Sequence, residues 1–126
     1  MLSYKQSTTI PVYNDGFFSL FQIKQKQEEN SKFPIEYLHK VEKPNIWFEE
    51  LSLTDRLKFD AEERKKKITY KIRIPQMKEI DSLCVVKIGD KYHKVFNAYH
   101  FTIKDGFKQS DLTLEEYPRV KLEEEL

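Results

Sequence analysis

Residues 68–74, ITYKIRI, alternate without a break: Ile68, Tyr70, Ile72 and Ile74 point one way, and Thr69, Lys71 and Arg73 the other. A period of two belongs to a strand with one buried face and one wet face. Such a strand needs other strands beside it to complete a core. Pro75 has no amide hydrogen and ends the run.

Further segments repeat the signal. Residues 8–13, TTIPVY, read as a short first strand, demoted to an edge by Pro11. Asn14-Asp15-Gly16 turns it into FFSLFQIK, with Phe17, Ser19, Phe21 and Ile23 on one face, which predicts an N-terminal hairpin. Residues 25–34 are polar and unpatterned. Residues 35–43 fit either a helical turn or an extended segment. NIWFEEL places Ile46 and Phe48 on one face and Trp47 on the other. SLCVVKI (82–88), KYHKVFNAYHFTI (91–103, one bent strand or two) and DLTLEEY (111–117) follow, with Gly89-Asp90 and Asp105-Gly106 as turns. Residues 52–67, SLTDRLKFDAEERKKK, carry helix formers and an Asp near the start, so they are a long loop or a short helix between two strands. The charged end, 118–126, is expected to fray. The fold class expected is mainly β: one small single-domain barrel or sandwich spanning 1–126, with 52–67 as a mobile insert.

Charge and composition remove several function classes. Lys plus Arg number 22 and Asp plus Glu 21, so no global field draws nucleic acid or an acidic membrane surface. Cys84 is the only cysteine, which rules out an intramolecular disulfide and suits a reducing compartment. No apolar run approaches the ~20 residues of a membrane span, and the N-terminus lacks the apolar core of a signal peptide. The expectation is a soluble protein made in the cytoplasm.

No residue set announces catalysis. His93 and His100 are seven apart, which on one regular strand puts them on opposite faces; His39 stands alone, and no metal-ligand spacing includes Cys84. Cys84 sits in an apolar strand, the setting of a structural thiol rather than a nucleophile. The pairs Glu28-Glu29, Glu49-Glu50, Glu62-Glu63 and Glu115-Glu116 are adjacent, so strand geometry splits each across two faces and solvated surface is the expectation. The three glycines stand apart and build no phosphate loop. The reading is of a protein that is not an enzyme, with no catalytic residues, cofactor or metal.

The basic run stands out. Glu62 to Arg73 holds six cations against two anions, with Phe59 and Tyr70 nearby and Tyr92, Tyr99 and Phe101 on other strands. Cations beside strand aromatics are what single-strand binders use. The plainer reading is a solvated lysine loop, with Tyr70 facing the core.

The order of elements over residues 45–117 resembles the head closure, or head-tail joining, proteins of tailed bacteriophages. The motifs are a strand with Trp47 to Leu51, the polar stretch 52–67, and a Thr-x-x-Ile-x-Ile strand at Thr69, Ile72 and Ile74. An Ile80-to-Val86 strand, the Gly89-Asp90 turn, Tyr92 with Val95, and Leu112-x-Leu114 complete them. The resemblance implies a small β-barrel of SH3- or OB-like type. It implies a structural part of the virion neck: a ring of copies below the portal and its adaptor that closes the DNA channel and docks a tail or tail-terminator protein, in contact with packaged DNA. It further implies that the stretch before Thr69 becomes ordered on assembly. Arg56, Lys58, Arg64, Lys65, Lys66 and Lys67 are then the expected subunit-interface or channel residues, facing acidic patches at 49–50, 60–63 and 115–116 of a neighbour. The alternatives are another neck or tail-completion protein, and a free-standing OB- or SH3-like module that binds nucleic acid or peptide.

Overall fold

The computed structural model describes residues 10–30, 32–65 and 67–126. Among these residues seven strands and one α-helix follow in order: β1 (Gly16–Lys26), β2 (Ile35–Lys40), β3 (Ile46–Leu51), α1 (Asp55–Glu63), β4 (Ile68–Pro75), β5 (Cys84–Ile88), β6 (Lys91–Thr102) and β7 (Lys108–Glu116), with a final 3-10 turn at Glu123–Glu125. The protein is mainly β, a single antiparallel sheet in the order β2-β1-β3-β4-β7-β6-β5. β1 also pairs with β5, so both ends of that order meet on one strand. It does so by being long: Gly16–Phe18 pair with β3, Ser19–Gln22 with β5, and Phe21–Lys26 with β2. No helix among the described residues is long and apolar enough to cross a membrane.

The alternation in β4 puts Ile72 and Ile74 at 0% exposure, with Tyr70 packed beside them. They meet Phe18, Leu20, Phe48, Ile80, Val86, Val95, Leu112 and Leu114 in the main core. Each such side chain contributes ~1.5–3 kcal/mol by leaving water. A smaller cluster of Phe21, Leu38 and Val85 lies on the other side of β1, roofed by Tyr92, Tyr117, Val120 and Leu122. β1 is thus covered on both faces. The row Phe17, Ser19, Phe21, Ile23 lies opposite the main core, and Phe17 is 47% exposed while Phe18 is buried.

The N-terminal hairpin does not form. Residues 10–14 make no strand, and residues 8 and 9 lie outside the described residues. Pro11 lacks the amide a ladder needs. The chain enters the sheet instead at Asp15, whose N–H donates to the Phe48 carbonyl at 2.9 Å. A Cβ on Gly16 would sit 2.7 Å from the Phe48 ring, so a side chain there would collide with the core.

Three other segments resolve what the pattern leaves open. Residues 35–40 are strand. Residues 91–102 are one strand, β6, with its register shifted between Val95 and Asn97. It follows β5 through the two-residue turn Gly89-Asp90, where Gly89 takes φ +62°. Residues 55–63 are helix, capped by Thr54, whose Oγ1 accepts from the Leu57 N–H at 3.1 Å. No described residue of 52–67 belongs to either core cluster.

The end of the chain, expected to fray, is tied to β2. The Leu38 N–H donates to the Lys121 carbonyl at 2.8 Å, and Leu122 pairs with Leu38 in a parallel bridge. His39 Nδ1 meets Glu123 Oε2 at 2.6 Å. The Tyr117 hydroxyl donates to Glu36 at 2.9 Å, and burial with that bond pushes its pKa up to about 12. Val120 and Leu122 supply the apolar contacts that hold a charged tail down.

Candidate binding surface

The outward faces of β4, β7 and β6 line up in three rungs. Register partners in an antiparallel sheet share a face. Lys71, Thr113 and Asn97 make one rung, Arg73, Asp111 and Tyr99 the next, and Pro75, Gln109 and Phe101 the third. The middle rung is anchored by a forked ion pair: Arg73 Nε donates to Asp111 Oδ1 at 2.7 Å and Nη2 to Oδ2 at 2.9 Å. That hydrogen bond, ahead of the opposing effect of burial, raises the guanidinium pKa above its ordinary value. The Arg73 guanidinium also lies 5.2 Å from the centre of the Phe101 ring, and Phe101 stacks on Tyr99 at 5.2 Å and 15°. Gln109 Nε2 donates to the Tyr13 hydroxyl at 2.7 Å, and Gln76 Nε2 to the Phe101 carbonyl at 3.0 Å, fixing that end. Tyr99 remains 61% exposed. The N-terminal turn of α1 approaches this face. Arg56 and Leu57 join Lys71, Asn97, Tyr99 and Thr113 around a groove of about 370 Å³.

The six cations singled out in the sequence do not form one patch. Arg56 borders that groove. Lys58 borders another with Glu50, Leu51, Thr69 and Lys71. Arg64 and Lys65 are exposed past the helix end, Lys65 at φ +58°. Lys67 reaches Glu116 at 3.4 Å, an exposed pair worth little. Lys66 lies outside the described residues. The acidic patches also divide: Glu49 is the register partner of Arg73, while Glu115 is only 8% exposed, against the expectation of solvated surface.

Both strand histidines are structural, and the register shift at Phe96 corrects their expected placement. It reverses the in-out alternation, so that Val95 and Ala98 both pack on the core and His93 and His100 both turn inward. His100 Nε2 donates to the Ile80 carbonyl at 3.2 Å. Its Nδ1 is therefore the acceptor for the Ser110 hydroxyl at 2.6 Å, and Ser110 Oγ in turn accepts from the Met77 N–H at 3.1 Å. His93 is 5% exposed; its Nδ1 meets Thr69 Oγ1 at 2.8 Å, and Thr69 donates onward to the Leu114 carbonyl at 3.3 Å. Nδ1 thus carries the proton and Nε2 is left a buried acceptor with no partner among the described residues. Burial, with help from Lys91, lowers its pKa.

Cys84 is 2% exposed, and burial raises its thiol pKa, the reverse of what a nucleophile needs. Among the described residues no three His, Cys, Asp or Glu side chains are grouped to hold a metal. The Arg73–Asp111–Phe101–Tyr99 assembly was missed in sequence, although the alternation of β4 and the turn at Gly106 contained the register that builds it. The chain matches no family model, and no curated protein is significantly similar to it.

Proposed function

We propose that this chain is a structural component of the head-tail connector of a tailed bacteriophage, a ring-forming closure protein below the portal and its adaptor. The observation that carries the reading is the position of α1. The connection from β3 to β4 gives nothing to the core among its described residues, yet it holds Arg56, Lys58, Arg64 and Lys65 on a solvent-facing helix and turn. An element of this kind adds little to the protomer and is free to pack on a neighbouring copy. Meeting of both sheet ends on β1 supports the associated proposal of a small SH3- or OB-like barrel, which leaves few open edges to pair at random. Outward on β1 and β3, the Phe17 and Trp47 rings meet with centroids 5.1 Å apart and planes tilted by 54°, and remain 47% and 51% exposed, the residue types that anchor protein interfaces. Ring contacts join one face to a different face, so a basic turn after α1 and an exposed aromatic pair on β1 and β3 suit them.

The partners proposed are further copies of the chain, the portal adaptor, a tail or tail-terminator protein and packaged DNA, within the virion. The test is electron microscopy of particles made without the chain. Heads that have lost their DNA, beside unattached tails, are the expected result. Complete infectious virions would overturn the proposal. Reversal of Arg64, Lys65 and Lys67 to Glu should leave the protomer folded and reproduce the defect; normal particles from that variant would remove α1 from the interface.

A further inference from the structure

We infer that the outer face of β4, β7 and β6 is a binding site for single-stranded nucleic acid, with Tyr99 as its stacking residue. The inference is independent of the connector reading, since one protomer carries the whole site.

Three features converge. The first is an aromatic ring held ready and left uncovered. Tyr99 is backed by Phe101, and Phe101 is held by Arg73. An aromatic side chain on a surface strand ordinarily samples several rotamers, and this one is stacked in place with 61% of its area in water. Stacking a base on such a ring contributes ~1–3 kcal/mol and tolerates any base.

The second is the chemistry beside the ring. Asn97, exposed one rung away and lining the same groove, offers both a donor and an acceptor to a base edge. The groove that Asn97 and Tyr99 line, about 370 Å³, accommodates a base lying against the Tyr99 ring.

The third is charge. Asp111, the register partner of Tyr99, is neutralised by Arg73 through two hydrogen bonds. Lys71 and Arg56 flank the same groove and make no ion pair with another described residue. They are the cations available to phosphates on either side of a stacked base. The near-zero net charge of the chain limits long-range attraction, so affinity should come mainly from stacking and these two contacts.

The test is fluorescence anisotropy of the purified chain with labelled oligothymidylate of about 12 nucleotides, inside the ~4–16-nucleotide footprint of such sheets. Binding is expected, weaker by about 5- to 100-fold in Tyr99→Ala and preserved in Tyr99→Phe. Lys71→Ala should weaken it and reduce the salt slope by ~0.7. Tyr99 lies on the surface, so circular dichroism should report an unchanged fold. Any of several results would overturn the inference. These are no binding at low salt, equal binding by Tyr99→Ala, duplex bound as tightly as single strand, and thymidine monophosphate competing at the concentration of the strand. Loss of binding only in a variant with Arg64, Lys65 and Lys67 changed to Ala would also overturn it, moving the contact to the turn after α1.

Discussion

Arg73 of β4 and Asp111 of β7 are register partners whose side chains meet in a fork, with both guanidinium-to-carboxylate contacts within 2.9 Å. The Asp111 side chain keeps only 12% of its surface in water and the Arg73 side chain 31%, so the pair is partly desolvated. It also holds Phe101 under the arginine. Removing the acid leaves a half-buried cation without its fork. Asp111→Ala should lower stability by ~1–3 kcal/mol in urea unfolding. A double-mutant cycle with Arg73→Met should give a coupling of at least ~0.5 kcal/mol. Strictly additive single mutants would show that the pair is incidental.

His93 makes stability fall in mild acid. Its folded pKa lies below the ordinary value near 6.5 because burial, aided by Lys91, disfavours the imidazolium, with Glu116 opposing. Below that ordinary value the unfolded chain takes up a proton that the folded one refuses. The contribution is therefore complete above pH ~6.5 and is lost as pH falls from there to the depressed folded value. Stability measured between pH 7.5 and pH 5 should drop more in the parent than in His93→Gln. Equal slopes would dismiss the histidine as the cause.

Gly16 is required by packing rather than by backbone angle. Its missing Cβ is what lets the Phe48 ring, 3% exposed, close over the start of β1. Gly16→Ala should lower the unfolding free energy by ~1–3 kcal/mol through overpacking, and Gly16→Ala with Phe48→Leu should recover part of it. A neutral single variant would mean that the ring moves freely.

Lys65 ends α1 in the left-handed region at φ +58°, where a Cβ is unwelcome. The last turn of the helix carries Glu62 and Glu63 and no cation, against the macrodipole. Lys65→Gly should strengthen the cap by ~1 kcal/mol. Hydrogen exchange of the α1 amides should slow in that variant while core amides keep their rates. Faster exchange would contradict the cap.

The strands were legible wherever one face meets the core and the other meets water. β4 shows this best, because Ile72 and Ile74 are fully buried and Lys71 and Arg73 face outward. β1 was legible as a strand but not in its partners. It is covered on two sides by segments distant in sequence, so Phe18 and Phe21 are both buried and alternation gives no single core face. The inward turn of both His93 and His100 could not be read, since a shift of one residue leaves no mark in composition. The docking of 118–126 escaped for a similar reason: two apolar residues, Val120 and Leu122, outweigh the charge around them only because β2 waits beside them. The basic run was visible at once, but the separation of Arg56 and Lys58 from it along α1 followed from the helix, whose weak apolar stripe the sequence barely displays.

β1 serves three partners, and this has a consequence for how the chain is made. Ser19 pairs with Lys87, about seventy residues later, while Gly16 pairs with Phe48. The first strand of the sheet to be made is therefore among the last to be satisfied: β2 and β3 can pair with it early, but the edge of Ser19–Gln22 that takes β5 stays bare until β5 has been synthesised. Long-range pairing of this kind puts folding in the millisecond-to-second range rather than the microsecond range of local folds. A nascent chain stopped before residue 84 would expose Phe18, Leu20 and Phe21 together, making truncated products the natural substrates of chaperones and proteases.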